Sequence, residues 1–158
     1  MKKSNVVMIF GRICSGKSSF QSQAYRIIVS DIVRDLLKSD DRVVLQDSMH
    51  LDKAISNEIV KCVNAFTDLI ERDLMQNKTI IVDGIRQSTI VNKVLEKYPK
   101  AGMVWLEVPQ EKRKQRYELR NDGKDTQPFY IADNQPIELE CQKIFSIFNK
   151  QLQVINNY

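Results

Sequence analysis

The chain is poor in residues that mark a site on their own. It has one histidine and three cysteines among its 158 residues. Cys14, Cys62 and Cys141 are widely spaced, odd in number and without a metal-ligand pattern. They read as reduced thiols of a cytosolic compartment, which excludes a disulfide framework and a cysteine zinc site. His50 stands in a stretch without pattern and reads as a surface residue. No apolar run approaches the roughly 20 residues that span a bilayer. Met1-Lys2-Lys3-Ser4-Asn5 leads straight into an apolar stretch, without a signal peptide's long apolar core, so a cytoplasmic protein with no membrane partner is expected. Repeats, low-complexity tracts and linkers are absent, and one domain over residues 1–158 is expected. A net charge of +4 suits small anions and is too weak, without a concentrated patch, to favour nucleic acid.

What is present begins at Gly11-Arg12-Ile13-Cys14-Ser15-Gly16-Lys17-Ser18, which fits G-x-x-x-x-G-K-[ST] in full. It follows the apolar run Val6 to Phe10, as a phosphate loop follows its strand. The glycines permit a tight turn whose N–H groups converge on a polyphosphate. Gly11, Ser15, Gly16, Lys17, Ser18 and Ser19 are therefore the candidate ATP-binding residues. Lys17 reaches the β- and γ-phosphates in this reading, and the Ser18 hydroxyl takes a position on Mg²⁺. Cys14 needs only to be small.

The remaining pattern alternates strands with helices. Val6 to Phe10 reads as a buried strand, Lys17 to about Ala24 as a helix, and Tyr25 to Val29 as a second strand. Ser30 and Asp31 are capping types, opening a helix toward Leu37. Lys38 to Leu51 has no decodable pattern. Ile55, Ile59, Cys62, Val63, Phe66, Leu69, Ile70 and Leu74 then recur at helical spacing. Thr79 to Val82 reads as a strand, Ile90 to Tyr98 as a helix, Met103 to Val108 as a strand and Gln110 to Arg120 as a charged helix. Asn121 to Pro136 is polar and turn-rich. Ile137 to Lys150 returns to helical spacing through Leu139, Ile144, Phe145 and Phe148, and Leu152 to Ile155 suggests a last strand. Together these predict a three-layer α/β/α fold with a parallel sheet of about five strands.

Three clusters follow strand ends, where open α/β sheets bind ligands. Asp31 and Arg34 are three apart and share a helix face. Asp83-Gly84-Ile85-Arg86 places an acid where a Walker-B residue holds Mg²⁺, with a planar guanidinium beside it. Arg113, Arg116 and Arg120 share a face of the charged helix, which leads into Asn121-Asp122-Gly123-Lys124-Asp125, as a closing lid requires.

In this order and rough spacing, the phosphate loop, Ser30-Asp31-Ile32-Val33-Arg34, Val82-Asp83-Gly84-Ile85-Arg86 and Arg116-x-x-x-Arg120 resemble the P-loop nucleoside monophosphate kinases. Within the adenylate kinase group, the phage deoxynucleoside monophosphate kinases and dephospho-coenzyme A kinases are closest. The resemblance implies Asp31, Arg34, Asp83 and Arg86 at the acceptor, Ser18 and Asp83 at Mg²⁺, and Lys17, Arg86, Arg116, Arg120 and Asp31 as catalytic residues. It also implies an acceptor-binding insertion at about 31–76 and a lid at about 111–136. The chain departs from the group in having no arginine after Arg120 and no proline in Asp83-Gly84-Ile85-Arg86. Both departures turn the expected acceptor from adenylate toward a deoxynucleotide or a more distant acceptor.

The expected activity is transfer of the γ-phosphoryl group of Mg-ATP to a (deoxy)nucleoside monophosphate. Such chemistry needs positioning more than proton abstraction, since a phosphate oxygen is already a nucleophile. The alternatives are a kinase acting on a hydroxyl, on dephospho-coenzyme A or on a base in a nucleotide or nucleic acid, with Asp31 as general base, or a non-catalytic nucleotide-binding switch.

Overall fold

A computed structural model describes residues 6–21, 23–32, 64, 67–72, 79–120, 123 and 125–158. Its centre is a five-stranded, all-parallel sheet in the order β2-β3-β1-β4-β5. The strands are β1 (Val6–Phe10), β2 (Tyr25–Ile28), β3 (Ile80–Asp83), β4 (Gly102–Glu107) and β5 (Gln153–Asn156). β1 pairs with β3 through Val6↔Ile80 and with β4 through Val7↔Gly102, so the strand before the phosphate loop is central. Being covered on both faces, it is apolar throughout rather than alternating.

The side-chain period of two still sorts its residues. Val6, Met8 and Phe10 face one cluster with Ile80, Val82, Met103 and Trp105. Helix α1 (Ser88–Lys97) brings Ile90, Val91 and Val94 to that cluster, and the later helix α4 (Pro136–Ile147) brings Cys141 and Ile144. Ile9, Ile81, Val104 and Leu106 form the opposite face, against which Phe20 and Ala24 pack. Between these helices lie α2 (Gln110–Arg120) and α3 (Phe129–Asp133). Ile13 of the phosphate loop, Tyr117 of α2 and Phe129 and Ala132 of α3 make a third small core. No described helix is long and apolar enough to cross a membrane.

The expected strands are all present, each displaced by no more than one residue at its ends. Three expectations change. The helix predicted from Lys17 to Ala24 is a 3-10 turn over Lys17–Ser19, which ends at Phe20 in extended backbone. Arg26 of β2 donates Nη1–H to the Lys17 carbonyl at 2.9 Å and Nη2–H to the Phe20 carbonyl, taking the acceptors that a longer helix would use. The serines of Lys17-Ser18-Ser19-Phe20-Gln21-Ser22 also favour turns over helix interior.

The stretch read as wholly turn-rich contains α3, whose Phe129, Ala132 and Asp133 are buried. Finally, α4 buries Ile137, Glu138, Cys141 and Ile144, while Leu139 and Phe145 are exposed, so its inward face is turned from the predicted stripe. Pro136 supplies its first turn, where a missing N–H costs nothing. Residues 29–32 and 67–72 are helical as expected. Arg34, His50, Cys62 and most of the 31–76 insertion lie outside the described residues.

Candidate functional site

The phosphate loop is built by its glycines and held from outside. At Gly11, φ is 155°, and a Cβ there would fall on Ser15 Oγ and lie 2.9 Å from the Leu106 carbonyl. No side chain fits. Gly16 has φ 88°, a left-handed value that suits glycine.

Each carbonyl from Gly11 to Ser15 accepts a side-chain donor. Lys17 Nζ donates to the carbonyls of Gly11 and Arg12, both at 2.9 Å. Arg113 reaches the Ile13 carbonyl at 3.5 Å, and Arg116 reaches that of Cys14 at 3.3 Å. Asn157 Nδ2 donates to the Ser15 carbonyl at 2.9 Å. In a trans peptide the C=O and the next N–H point in opposite directions. Holding the Ser15 carbonyl through Asn157 therefore turns the Gly16 N–H the other way, whereas the Ser15 N–H itself bonds the Arg12 carbonyl at 3.1 Å.

The cations differ in their partners. Arg113, buried in α2, pairs with Asp133 at 2.6 Å, and Arg12 pairs with the same carboxylate at 3.1 Å. This buried cluster ties α2 and α3 to the phosphate loop. Arg113 is thus structural, and it does not join Arg116 and Arg120 on a common ligand-facing surface. Arg116 bonds only carbonyls among the described residues, those of Cys14 and Asn157. Arg120 forms a bidentate pair with Asp125, both contacts at 2.6 Å, and its guanidinium stacks on Tyr117.

At the ends of β2 and β3 the arrangement is a set of ion pairs. Asp83 is buried and receives Arg26 Nη1–H at 3.2 Å. Gly84, with φ 93°, lies against the start of the helix carrying Asp31, since a Cβ there would be 3.9 Å from the Val29 nitrogen. The clusters of Asp31 and of Asp83 to Arg86 are thereby adjacent, with Asp31 exposed. Arg86 pairs with Glu138 of α4 at 2.6 Å, and Glu138 is 1% exposed. Sequence reasoning missed Glu138. Its signal was a carboxylate sharing a helix face with Ile137, Cys141 and Ile144. It also missed Arg26, Asn157 and Asp133, for which no local signal exists.

These charges meet at Lys17. Burial lowers its pKa to about 8, assisted by the Arg86 charge and opposed by Glu138 and Asp83. Burial is also the largest influence on Arg86 and opposes its charge, but Glu138, Cys141 and Asp83 together outweigh it and raise that pKa. Among the described residues no cluster of three or more His, Cys, Asp or Glu side chains could hold a metal ion. Ser18, exposed beside Lys17, and Asp83, paired with Arg26, would be the candidates to meet a magnesium ion carried mainly by substrate phosphates.

By sequence, no protein-family profile and no curated protein matches the chain. Solved structures do match its shape. One is deoxyadenosine kinase from M. mycoides with the products dCMP and a flexible dCDP bound. The match has a TM-score of 0.54 and 14% identity, covering 96% of this chain and 90% of that one. Another is shikimate kinase from Bacteroides thetaiotaomicron, at TM-score 0.51 and 10% identity, covering 96% and 85%. The likeness is one of fold: the chain has the α/β fold of P-loop kinases, with a five-stranded parallel sheet.

Proposed function

We propose that this chain is an ATP-dependent phosphotransferase that moves a γ-phosphoryl group to a (deoxy)nucleoside monophosphate. The observation carrying this reading is the phosphate loop itself, its carbonyls held from Gly11 to Ser15 and Lys17 and Arg116 laid along it. Lys17 is folded onto loop carbonyls and exchanges them for β- and γ-phosphate oxygens when nucleotide enters. Arg116 stabilises charge on the transferring group from the α2 side. Ser18 and Asp83 would hold Mg²⁺, which would neutralise phosphate charge. Gly11, Ser15, Gly16 and Ser19 complete the nucleotide cradle. On this reading Asp31, Arg34 and Arg86 would serve the acceptor, and Arg120 would act from the C-terminal end of α2.

A specific observation favours a second reading, a hydroxyl acceptor. Arg86 already has a buried carboxylate 2.6 Å away, so less of its charge is left for an acceptor phosphate. On that reading Asp31, exposed beside Gly84, takes the hydroxyl proton.

ATP consumption against a panel of nucleoside monophosphates, dephospho-coenzyme A, small hydroxyl acids and oligonucleotides tests both. We expect turnover with a deoxynucleoside monophosphate. Turnover confined to hydroxyl acceptors would replace the first reading with the second. Mg-ATP binding without transfer to any acceptor would leave a nucleotide-binding switch.

A further inference from the structure

Asn157 bonds in three directions just after β5. Its backbone N–H donates to the Glu107 carbonyl at 2.9 Å, at the end of β4. Its own carbonyl accepts from Arg116 at 2.9 Å, and its carboxamide donates to the Ser15 carbonyl at 2.9 Å. One residue thus joins the sheet, α2 and the phosphate loop.

The loop atom it holds is the important one. The Ser15 carbonyl shares a peptide plane with the Gly16 N–H, immediately before Lys17. The chain has no cis peptide among its described residues, so holding the carbonyl on one side aims the Gly16 N–H to the other. A Cβ at Gly16 would land on the Asn157 carboxamide. The space that a side chain at position 16 would need is occupied by the group that orients the peptide.

We propose that Asn157 is a positioning residue of the nucleotide site, whose carboxamide fixes the Ser15–Gly16 peptide so that its N–H meets the donor's phosphates. The inference rests on the phosphotransferase reading above. Because the amide is neutral, its effect is on loop geometry rather than on the site's charge. Because Arg116 bonds the backbone carbonyl of Asn157, side-chain substitution removes the loop arm alone.

Two variants test it, with Mg-ATP as the calorimetric probe. Asn157→Asp keeps the shape but faces the Ser15 carbonyl with an acceptor; Asn157→Ala simply removes the donor. We expect Asn157→Ala to bind Mg-ATP roughly tenfold more weakly and Asn157→Asp roughly thirtyfold. The KM for ATP rises in both while that of the acceptor stays within about twofold. A merely structural role would lower the melting temperature and move both KM values together, and that result overturns the proposal. So does wild-type affinity for Mg-ATP in both variants. If Asn157→Asp does not fold, Asn157→Ala decides by the same titration. If the wild type does not bind Mg-ATP, the phosphotransferase reading fails first and takes this inference with it.

Discussion

The two sides of the candidate site treat positive charge in opposite ways. On the phosphate-loop side, Lys17 and Arg116 bond carbonyls and, among the described residues, no carboxylate. On the side formed by the ends of β2 and β3, Arg26 and Arg86 each pair with a buried acid, Asp83 and Glu138. Carbonyls orient a cation without cancelling it, whereas a carboxylate at 2.6–3.2 Å does both. Lys17 and Arg116 therefore keep their charge, whereas Arg26 and Arg86 each share theirs with an acid. This contrast suits a polyphosphate donor opposite a less charged acceptor.

Breaking the charged side should have the largest effect. Lys17→Met should lower phosphoryl transfer by roughly 10³-fold in a folded protein, as a preorganised donor to the phosphates is lost. The same change should not lower the melting temperature at pH 7. The sign follows from linkage: with a folded pKa of about 8 against 10.5, the native state releases this proton before the unfolded chain does. Stability from this group therefore rises with pH between about 8 and 10.5, and the neutral variant has that gain already at pH 7. Activity runs the other way, with kcat/KM for Mg-ATP in the wild type falling as pH rises through about 8. A pH-independent kcat/KM from 7 to 9.5 would contradict the charge assignment.

Next in size is Arg116→Ala, which should reduce kcat roughly 10²-fold with a stable fold, because no ion pair among the described residues is broken. Arg86→Ala should sharpen the comparison from the other side. It removes Arg86 from the buried Glu138 carboxylate, at a cost of about 3–5 kcal/mol, and raises the acceptor's KM more than that of ATP. Denaturant unfolding and steady-state kinetics separate the two variants: a destabilised Arg116→Ala with a robust Arg86→Ala would reverse the contrast. The smallest expected effect is that of Asp31→Asn, roughly tenfold or less on kcat if the acceptor atom is a phosphate oxygen. A hydroxyl acceptor would make the loss about 10²–10⁴-fold, and single-turnover rates with both substrates bound distinguish these.

Why some of this was legible and some was not follows from sequence separation. The phosphate loop is a motif because glycine geometry, the lysine and the serine are demanded within eight consecutive positions. The strands were legible because doubly covered strands must be apolar along their whole length. The helix after the loop was misread because its acceptors are taken by Arg26, a residue of the next strand. Glu138 was missed because a helix was read for its apolar spacing, and the exposed Leu139 and Phe145 drew the inward face to the wrong side.

By itself, then, the sequence determined the local terms: the order of strands and helices, the phosphate loop, and the placing of Asp31, Asp83 and Arg86 after strands. Each depends on residues within a turn or two of one another, where backbone sterics and side-chain period suffice. Only the tertiary structure decided which arginines are paired with a carboxylate. Arg113 and Arg116 are three residues apart on one helix, yet one is paired with Asp133 and the other bonds the carbonyls of Cys14 and Asn157. Those partners lie 20, 102 and 41 residues away in the chain. A charge is cancelled or kept by what lies within about 3 Å of it, and spacing along one helix does not contain that distance.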